Sequence, residues 1–409
     1  MSSEIASVDT IREHFPALER THNGFPVAYF DGPGGTQVPH EVVGAMVDYL
    51  LRHNANSHWS YPSSAETDEI VAESRRSLAD FLNADETEIA FGQNMTSLTL
   101  HLARALGRSF SKGDEIIVTE LDHHANVDTW RSLERDRDVT VKVLPVDIST
   151  GYLRLDELSS LISEKTKLLA IGAASNAIGS ITDVEVACRI AKAAGVLSFV
   201  DAVHYAAHEL VDVRKIDCDF LACSAYKFYG PHIGILYGRR ELLESIDFPK
   251  LRPAPDNSPD RVETGTQSFE SIAGAGAAVD FLASLAEGAT RRERLSNTYR
   301  GFAARKKKLI GFAMKEFASI DGVRVFGPAA EARRTPTLAI SVDGVPAKRL
   351  TELLAEKGVF TSHGNFYAST IVDKLGFGQE GLLRAGCACY TDMREMERLV
   401  EGIRAIARR

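Results

Sequence analysis

Residues 168–202 read LLAIGAASNAIGSITDVEVACRIAKAAGVLSFVDA. Two short apolar runs, Leu168–Ala173 and Leu197–Ala202, flank a helical pattern at Val184–Ala194. Such runs alternating with helices predict parallel strands covered on both faces. The texture continues outward in both directions. Glu88–Gly92, Glu115–Thr119, Thr140–Val146, Phe220–Ser224 and Ile233–Gly238 read as further strands, and Leu155–Ser163 as a further helix. Only Tyr226–His232 separates the last two strands, too little for a helical crossover, so that pair is expected to be antiparallel. The fold class expected is α/β, with a mostly parallel seven-stranded sheet between helices.

After about Gln267 the texture changes. Ser268–Leu285 is an Ala- and Gly-rich helix with tight packing, and Arg291–Leu309 a long basic helix read as a solvated outer face. A strand at Thr337–Val342, a helix at Ala347–Lys357, a strand near Gly381–Ala388 and a final helix at Met393–Ala407 form a smaller α+β unit. The expected division is an N-terminal segment at 1–25, a large domain at 26–285 and a small C-terminal domain at 286–409. Phe248–Asp260, with four prolines, reads as a mobile surface loop.

Composition narrows the function. The chain has 409 residues and a formal net charge of −9, a poor match to a dedicated nucleic-acid binder. No run of apolar residues is long enough to span a membrane. Met1–Ile5 carries no basic stretch followed by an apolar one, and the five cysteines are too sparse for a disulfide framework. Together these point to the cytoplasm. No cluster with metal-ligand spacing accompanies His123-His124, so no metal is expected.

In an open α/β sheet, ligands sit beyond the carboxyl ends of the strands. Those positions are rich in polar residues here: Gln93-Asn94-Met95-Thr96-Ser97, Asp122-His123-His124, Ser175-Asn176, Asp201-Ala202-Val203-His204 and Ser224-Ala225-Tyr226-Lys227. Burial of Lys227 would lower its pKa and expose a nucleophilic amine. Asp201 can pair with a protonated pyridine nitrogen, as pyridoxal 5'-phosphate requires to act as an electron sink. Thr96 and the start of the following helix, read as Leu98–Leu106, suit a phosphate. His123 can stack flat on an aromatic ring.

Together with Asn54-Ala55-Asn56-Ser57-His58, Gly265-Thr266 and Leu383-Arg384-Ala385-Gly386, these motifs resemble the aminotransferase class V family of pyridoxal-phosphate enzymes. The resemblance is strongest to its cysteine desulfurase and selenocysteine lyase branch, runs through nearly the whole chain, and implies the fold type I transferase architecture. It implies that Lys227 binds the cofactor covalently, that Asp201 meets the pyridine nitrogen and that His123 stacks on the ring. Asn176 and His204 fall near the ring's phenolic oxygen, where His204 replaces the branch's glutamine. Met95, Thr96, Ser224 and Tyr226 fall at phosphate-contacting positions, and Tyr226 replaces a histidine. Gly265 and Thr266 match a pair contributed by a neighbouring subunit, implying a homodimer. Arg384 matches the clamp for the substrate carboxylate, with Asn176 beside it. Gly34 and Gly35 lie in a Gly-rich turn, Asp31–Thr36, that lets backbone approach the substrate.

One departure bears on the chemistry. The branch's desulfurases carry a nucleophilic cysteine in a small-domain loop before the arginine. The corresponding stretch here, Thr361–Ala368, has none. Cys387 and Cys389 fall on the opposite face of a strand from Arg384. The expected function is therefore a carbon–sulfur lyase acting on an L-amino acid by β-elimination, without an enzyme persulfide. An epimerase or aminotransferase would share the early carbanion. A non-catalytic, cofactor-binding partner of a sulfur-transfer system is the reading of another class. His363, Asn365, Tyr367 and Trp59 are candidate pocket residues.

Overall fold

A computed structural model describes residues 5–408. Residues 1–4, part of the stretch read for a leader, lie outside them. The predicted strands form one sheet: β1 (Ile89–Gly92), β2 (Glu115–Thr119), β3 (Thr140–Leu144), β4 (Thr166–Gly172), β5 (Leu197–Asp201), β6 (Phe220–Ser224) and β7 (Gly234–Gly238). The spatial order is β1-β7-β6-β5-β4-β2-β3. Only β7 runs against its neighbours, β6 and β1; the remaining pairs are parallel. The carboxyl ends of β1 through β6 therefore share one edge.

Alternation along the strands decides how the sheet is covered. Phe91, Ile117, Leu169, Ile171, Val200 and Leu221 face one core, with Leu78, Ala187 and Val279 from the helices Pro62–Leu82, Val184–Ala193 and Phe269–Ser284. Ala90, Ile116, Val118, Ala170, Phe199 and Ala222 face the other, against Leu98 and Leu102 of Met95–Gly107 and Trp130 and Leu133 of Asp128–Arg137. A sheet buried on both faces needs the unbroken apolar runs seen in the sequence.

A second, four-stranded sheet is built from β8 (Val323–Phe326), β9 (Thr337–Val342), β10 (Ser362–Gly364) and β11 (Leu382–Gly386) in the order β8-β9-β11-β10, all antiparallel. Its core includes Leu350, Leu354, Leu399 and Ile403 of the helices Ala347–Ala355 and Met393–Ala407. Ala28 and Phe30 enter that core too, because Ala28–Tyr29 pairs in parallel with Val359–Phe360. A segment early in the chain is thus built into the smaller unit, and Asp31–Thr36 is carried to the boundary between the units.

Several boundaries differ from expectation. Leu155–Ser163 divides into a 3-10 turn at Leu155–Glu157 and one helical turn at Leu158–Leu161. The basic helix runs on to Phe317; Arg300, Lys307 and Lys308 are exposed as expected, but the cations at its start are tied down. Arg291 pairs with Glu73, Asp80 and Asp280, and Arg292 donates to the carbonyls of Phe81 and Val211. The helix is fastened to the large core by these contacts. In the Pro-rich loop, Ser258 is buried and its hydroxyl donates to the Thr87 carbonyl.

Candidate active site

The carboxyl edge of the large sheet opens into a cleft of about 1170 Å³. Its floor comes from the strand ends and its far wall from β10, the loop after it, and β11. Met95, Thr96, His123, Asn176, Asp201, His204, Ser224, Tyr226, Lys227, Gly34 and Arg384 all line it. Thirty or more residues part many of these in the chain; the parallel strands collect them on one edge.

Lys227 sits in the 3-10 turn Ala225–Lys227 that follows β6 and is buried. Its ammonium donates to the carbonyls of Pro33 and, at 3.0 Å, Gly34. Burial, then the Arg384 charge, pull its pKa down to about 7. Asp201 closes β5, and its Oδ1 accepts from the Val203 N–H at 2.9 Å. Burial pushes its pKa up to about 6. A carboxylate this desolvated favours a cationic partner strongly.

His123 is held by its own loop. Its Nδ1 accepts from the Ala125 N–H at 3.0 Å, so the ring proton sits on Nε2. Burial, then the Lys227 charge, lower its pKa to about 4, which leaves the ring neutral at pH 7. One face stacks against Tyr367, with centroids 5.5 Å apart and planes inclined by 24°. His124 turns elsewhere: Nδ1 pairs with Asp128 at 2.8 Å and Nε2 meets Ser369 at 2.9 Å. The two adjacent histidines therefore share no centre.

The helix Met95–Gly107 begins three residues earlier than expected, so Thr96 lies in its first turn and is exposed to the cleft. Asn94 caps it: Oδ1 accepts from the Ser97 N–H at 2.9 Å. Ser224 Oγ takes the Met95 N–H at 3.0 Å, which ties this helix start to the end of β6. Gly234 makes the approach possible, since a Cβ there would lie 2.4 Å from the Asn94 carbonyl carbon. Tyr226 stacks on His232, with centroids 4.8 Å apart. A Cβ on Gly35 would come within 3.3 Å of the Tyr226 ring, and one on Gly34 within 3.5 Å of Arg384 Nη2.

Arg384 lies on β11 and is buried. Nη1 donates to the Asn176 carbonyl at 2.9 Å and Nε to Ser362 Oγ at 3.1 Å. Its guanidinium carbon is 4.3 Å from the centroid of the Phe366 ring. Burial lowers its pKa to about 10, still far above neutrality. Asn176 Nδ2 donates to the Phe366 carbonyl at 2.9 Å, and its buried Oδ1 has no partner. His204 reaches the cleft, but its Nε2 is engaged by Thr335 and Thr337 at 3.0 and 2.9 Å. Burial holds that ring neutral.

Gly265, Thr266 and Trp59 do not reach this cleft. They line a second cavity of about 1360 Å³, and Gly265 and Thr266 are exposed. Cys387 and Cys389 are also elsewhere, beside a void of about 30 Å³ shared with His208 and Arg305. Burial drives the Cys389 thiol up to about 12 and that of Cys387 higher. All five cysteines are buried and free.

Sequence reasoning gave no role to Asp122, Ser362 or Phe366. Asp122 Oδ2 accepts from Asn126 Nδ2 at 2.8 Å, and burial raises its pKa to about 7, with the Asp201 charge contributing. A Cβ on Gly172 would fall 2.6 Å from Asp122 Oδ1, so the last residue of β4 has to be glycine for that carboxyl to enter. Asp122 precedes His123 in the same loop, the one signal the sequence offers.

The aminotransferase class-V model matches residues 28–399. The chain belongs to the aminotransferase class-V family. Within that family it is 31% identical to the cysteine desulfurase of Pectobacterium carotovorum subsp. carotovorum (strain PC1), over 98% of each chain. It is 29% identical to that of Synechococcus elongatus, covering 98% of this chain and 63% of the relative. Apo cysteine desulfurase from Thermococcus onnurineus NA1 superposes with a TM-score of 0.88 at 26% identity over the full length of both chains. The S-sulfonic acid form of cysteine desulfurase CsdA from Escherichia coli gives 0.85 at 27% identity over 98% of both. This class-V chain thus sits in the cysteine desulfurase-like branch, and it is a lyase- or transferase-type enzyme of that family. No helix among the described residues is long and apolar enough to cross a membrane.

Proposed function

We propose that the chain is a pyridoxal-phosphate-dependent carbon–sulfur lyase that eliminates sulfur from a cysteine-type L-amino acid without forming a persulfide on itself. The donor set suits that cofactor. Asp201 offers a buried carboxylate to a pyridinium, Lys227 an amine of lowered basicity, His123 a neutral flat face, and the helix at Thr96 a phosphate site beside Met95, Ser224 and Tyr226. The buried, unpartnered Oδ1 of Asn176 is an acceptor awaiting a donor, close to where His204 lines the cleft. When bound, the cofactor supplies an electron sink for charge developing at the substrate Cα.

This chain's residues do the rest. Arg384 binds the α-carboxylate, Asn176 and Ser362 hold that guanidinium in place, and Gly34 leaves room for substrate against it, while Gly35 packs on Tyr226 outside the cleft lining. Lys227 Nζ takes the Cα proton; the Cβ–S bond breaks and sulfur leaves with the electron pair. Addition of water completes the balance: cysteine and water give pyruvate, ammonia and hydrogen sulfide.

The location of the thiols carries the reading. None of the five lines the cleft, and Phe366 and Tyr367 occupy the loop before Arg384. A persulfide needs a thiolate near the leaving sulfur. The test is product analysis with L-cysteine. Equal amounts of sulfide and pyruvate support elimination; alanine with a protein persulfide would overturn it.

The working unit is proposed to be a homodimer in the cytoplasm. Gly265 and Thr266 are exposed and remote from their own cleft, which suits donation to a partner. Val43, Val47, Leu50 and Leu51 expose an apolar stripe on the chain around His40–His53. Five reduced cysteines suit a reducing compartment. The division into large and small domains is proposed to lie near residue 286, with residues 28–30 built into the smaller core.

A further inference from the structure

His14, His40 and Glu41 take no part in the cleft. His14 caps the end of the helix Val8–Glu13, and His40 and Glu41 open the helix His40–Asp48. Their ligand atoms lie within 4.8 Å of one another. The backbone sets this arrangement: the His14 carbonyl accepts the His40 N–H at 2.9 Å and also lies 3.2 Å from His40 Nδ1. A carbonyl only accepts, so Nδ1 of His40 carries a proton and Nε2 is the nitrogen left to meet Glu41. Nε2 lies 3.3 Å from Glu41 Oε1, and His14 Nδ1 contacts the same oxygen. The two imidazoles stack in parallel, centroids 5.4 Å apart and planes 5° apart, with the edge of Phe281 beside His14. The second carboxylate oxygen, Glu41 Oε2, is buried and has no partner.

Two imidazole nitrogens gathered on one carboxylate oxygen share a cation with it, either a proton or a metal ion. A tetrahedron with zinc bonds of 2.0–2.1 Å has an edge of about 3.3 Å, which is the spacing of His40 Nε2 from Glu41 Oε1, while His14 has to draw back from that oxygen to admit an ion. A backbone carbonyl that holds the far nitrogen of a ligand histidine is the usual second-shell support of a metal site. We propose that His14 Nδ1, His40 Nε2 and the Glu41 carboxylate bind a divalent transition-metal ion of the zinc class, with water completing its coordination. The ion takes the place of the proton between His14 and Glu41, and that proton is released to solvent. It would fasten the first helix to the second, adding to the His40 N–H bond to the His14 carbonyl.

The test uses the full, tag-free, cofactor-loaded chain after chelator treatment, titrated with zinc chloride by calorimetry and with cobalt chloride by visible absorption. The expected result is one ion per chain and cobalt d–d bands of four-coordinate type. His40→Gln and Glu41→Gln should each weaken zinc binding by at least about tenfold, while both keep the cofactor absorbance and the melting temperature of the chelated wild type. No saturable binding, or equal affinity in His40→Gln, would overturn the proposal and leave a proton as the bridging cation. Because the readout is metal stoichiometry, it does not depend on the reaction assigned to the cleft.

Discussion

Arg384 and Phe366 are packed as a cation–π pair, the guanidinium carbon 4.3 Å from the ring centroid. The loop that carries Phe366 departs from ordinary backbone. Phe366 and Tyr367 both have positive φ, 58° and 56°, a region that non-glycine residues rarely enter. The His124 N–H donates to the Tyr367 carbonyl at 2.6 Å, Asn176 Nδ2 to the Phe366 carbonyl at 2.9 Å, and the Tyr367 N–H to Asn365 Oδ1 at 3.1 Å. These bonds hold the loop against the arginine it covers.

Arg384→Lys should therefore raise KM for the amino acid by about 30-fold, since a lysine offers neither the fork nor the flat face. The cofactor absorbance should stay. Steady-state kinetics check this; an unchanged KM means that the carboxylate binds elsewhere.

Tyr367 gives a second expectation. Its ring holds one face of His123, so Tyr367→Ala should shift the visible band and weaken cofactor binding about threefold to tenfold, in line with an aromatic pair worth roughly 1 kcal/mol. Tyr367→Phe keeps the stack and should restore both. If alanine and phenylalanine behave alike, the stack has no effect on the ring beside it.

Lys227 predicts a pH dependence of folding in the cofactor-free chain. Its folded pKa, about 7, lies below the ordinary lysine value, so between about pH 7 and 10 the unfolded chain binds more protons than the folded one. Stability then rises with pH through that window. Relative to wild type, Lys227→Met should be more stable by a few kcal/mol near pH 6, and the gain should fade toward pH 10. Denaturant melts at several pH values check it, and a gain that is flat across pH would contradict the burial argument.

Cys387→Ser and Cys389→Ser should each release sulfide from L-cysteine at rates within about twofold of wild type, because buried thiols of raised pKa supply little thiolate. Loss of sulfide release in either, with the cofactor band intact, would place that thiol in the reaction.

The large sheet was legible because both of its faces are buried, and burial writes itself as apolar runs such as Leu168–Ala173. The strand-end residues were legible for the same reason: Asp201 and Lys227 are polar where the runs stop. What the sequence concealed depends on contact between distant segments. Nothing near His204 announces Thr335 and Thr337, and nothing near Arg384 announces Phe366. The threading of Ala28–Tyr29 into the smaller unit is equally silent, since a two-residue strand has no period to read. Thr96 was placed just before a helix read from Leu98, whereas Asn94 Oδ1 accepting the Ser97 N–H starts that helix at Met95.

Lys227 is proposed to hold pyridoxal phosphate covalently in this cleft. Borohydride reduction of the cofactor-loaded protein, followed by peptide mapping by mass spectrometry, reads out that bond. The visible band, at roughly 410–430 nm for a protonated imine of this cofactor, should bleach, and the added mass should fall on the peptide containing Lys227. An adduct on another lysine, or a protein that gains no band with added cofactor and no adduct, would contradict it.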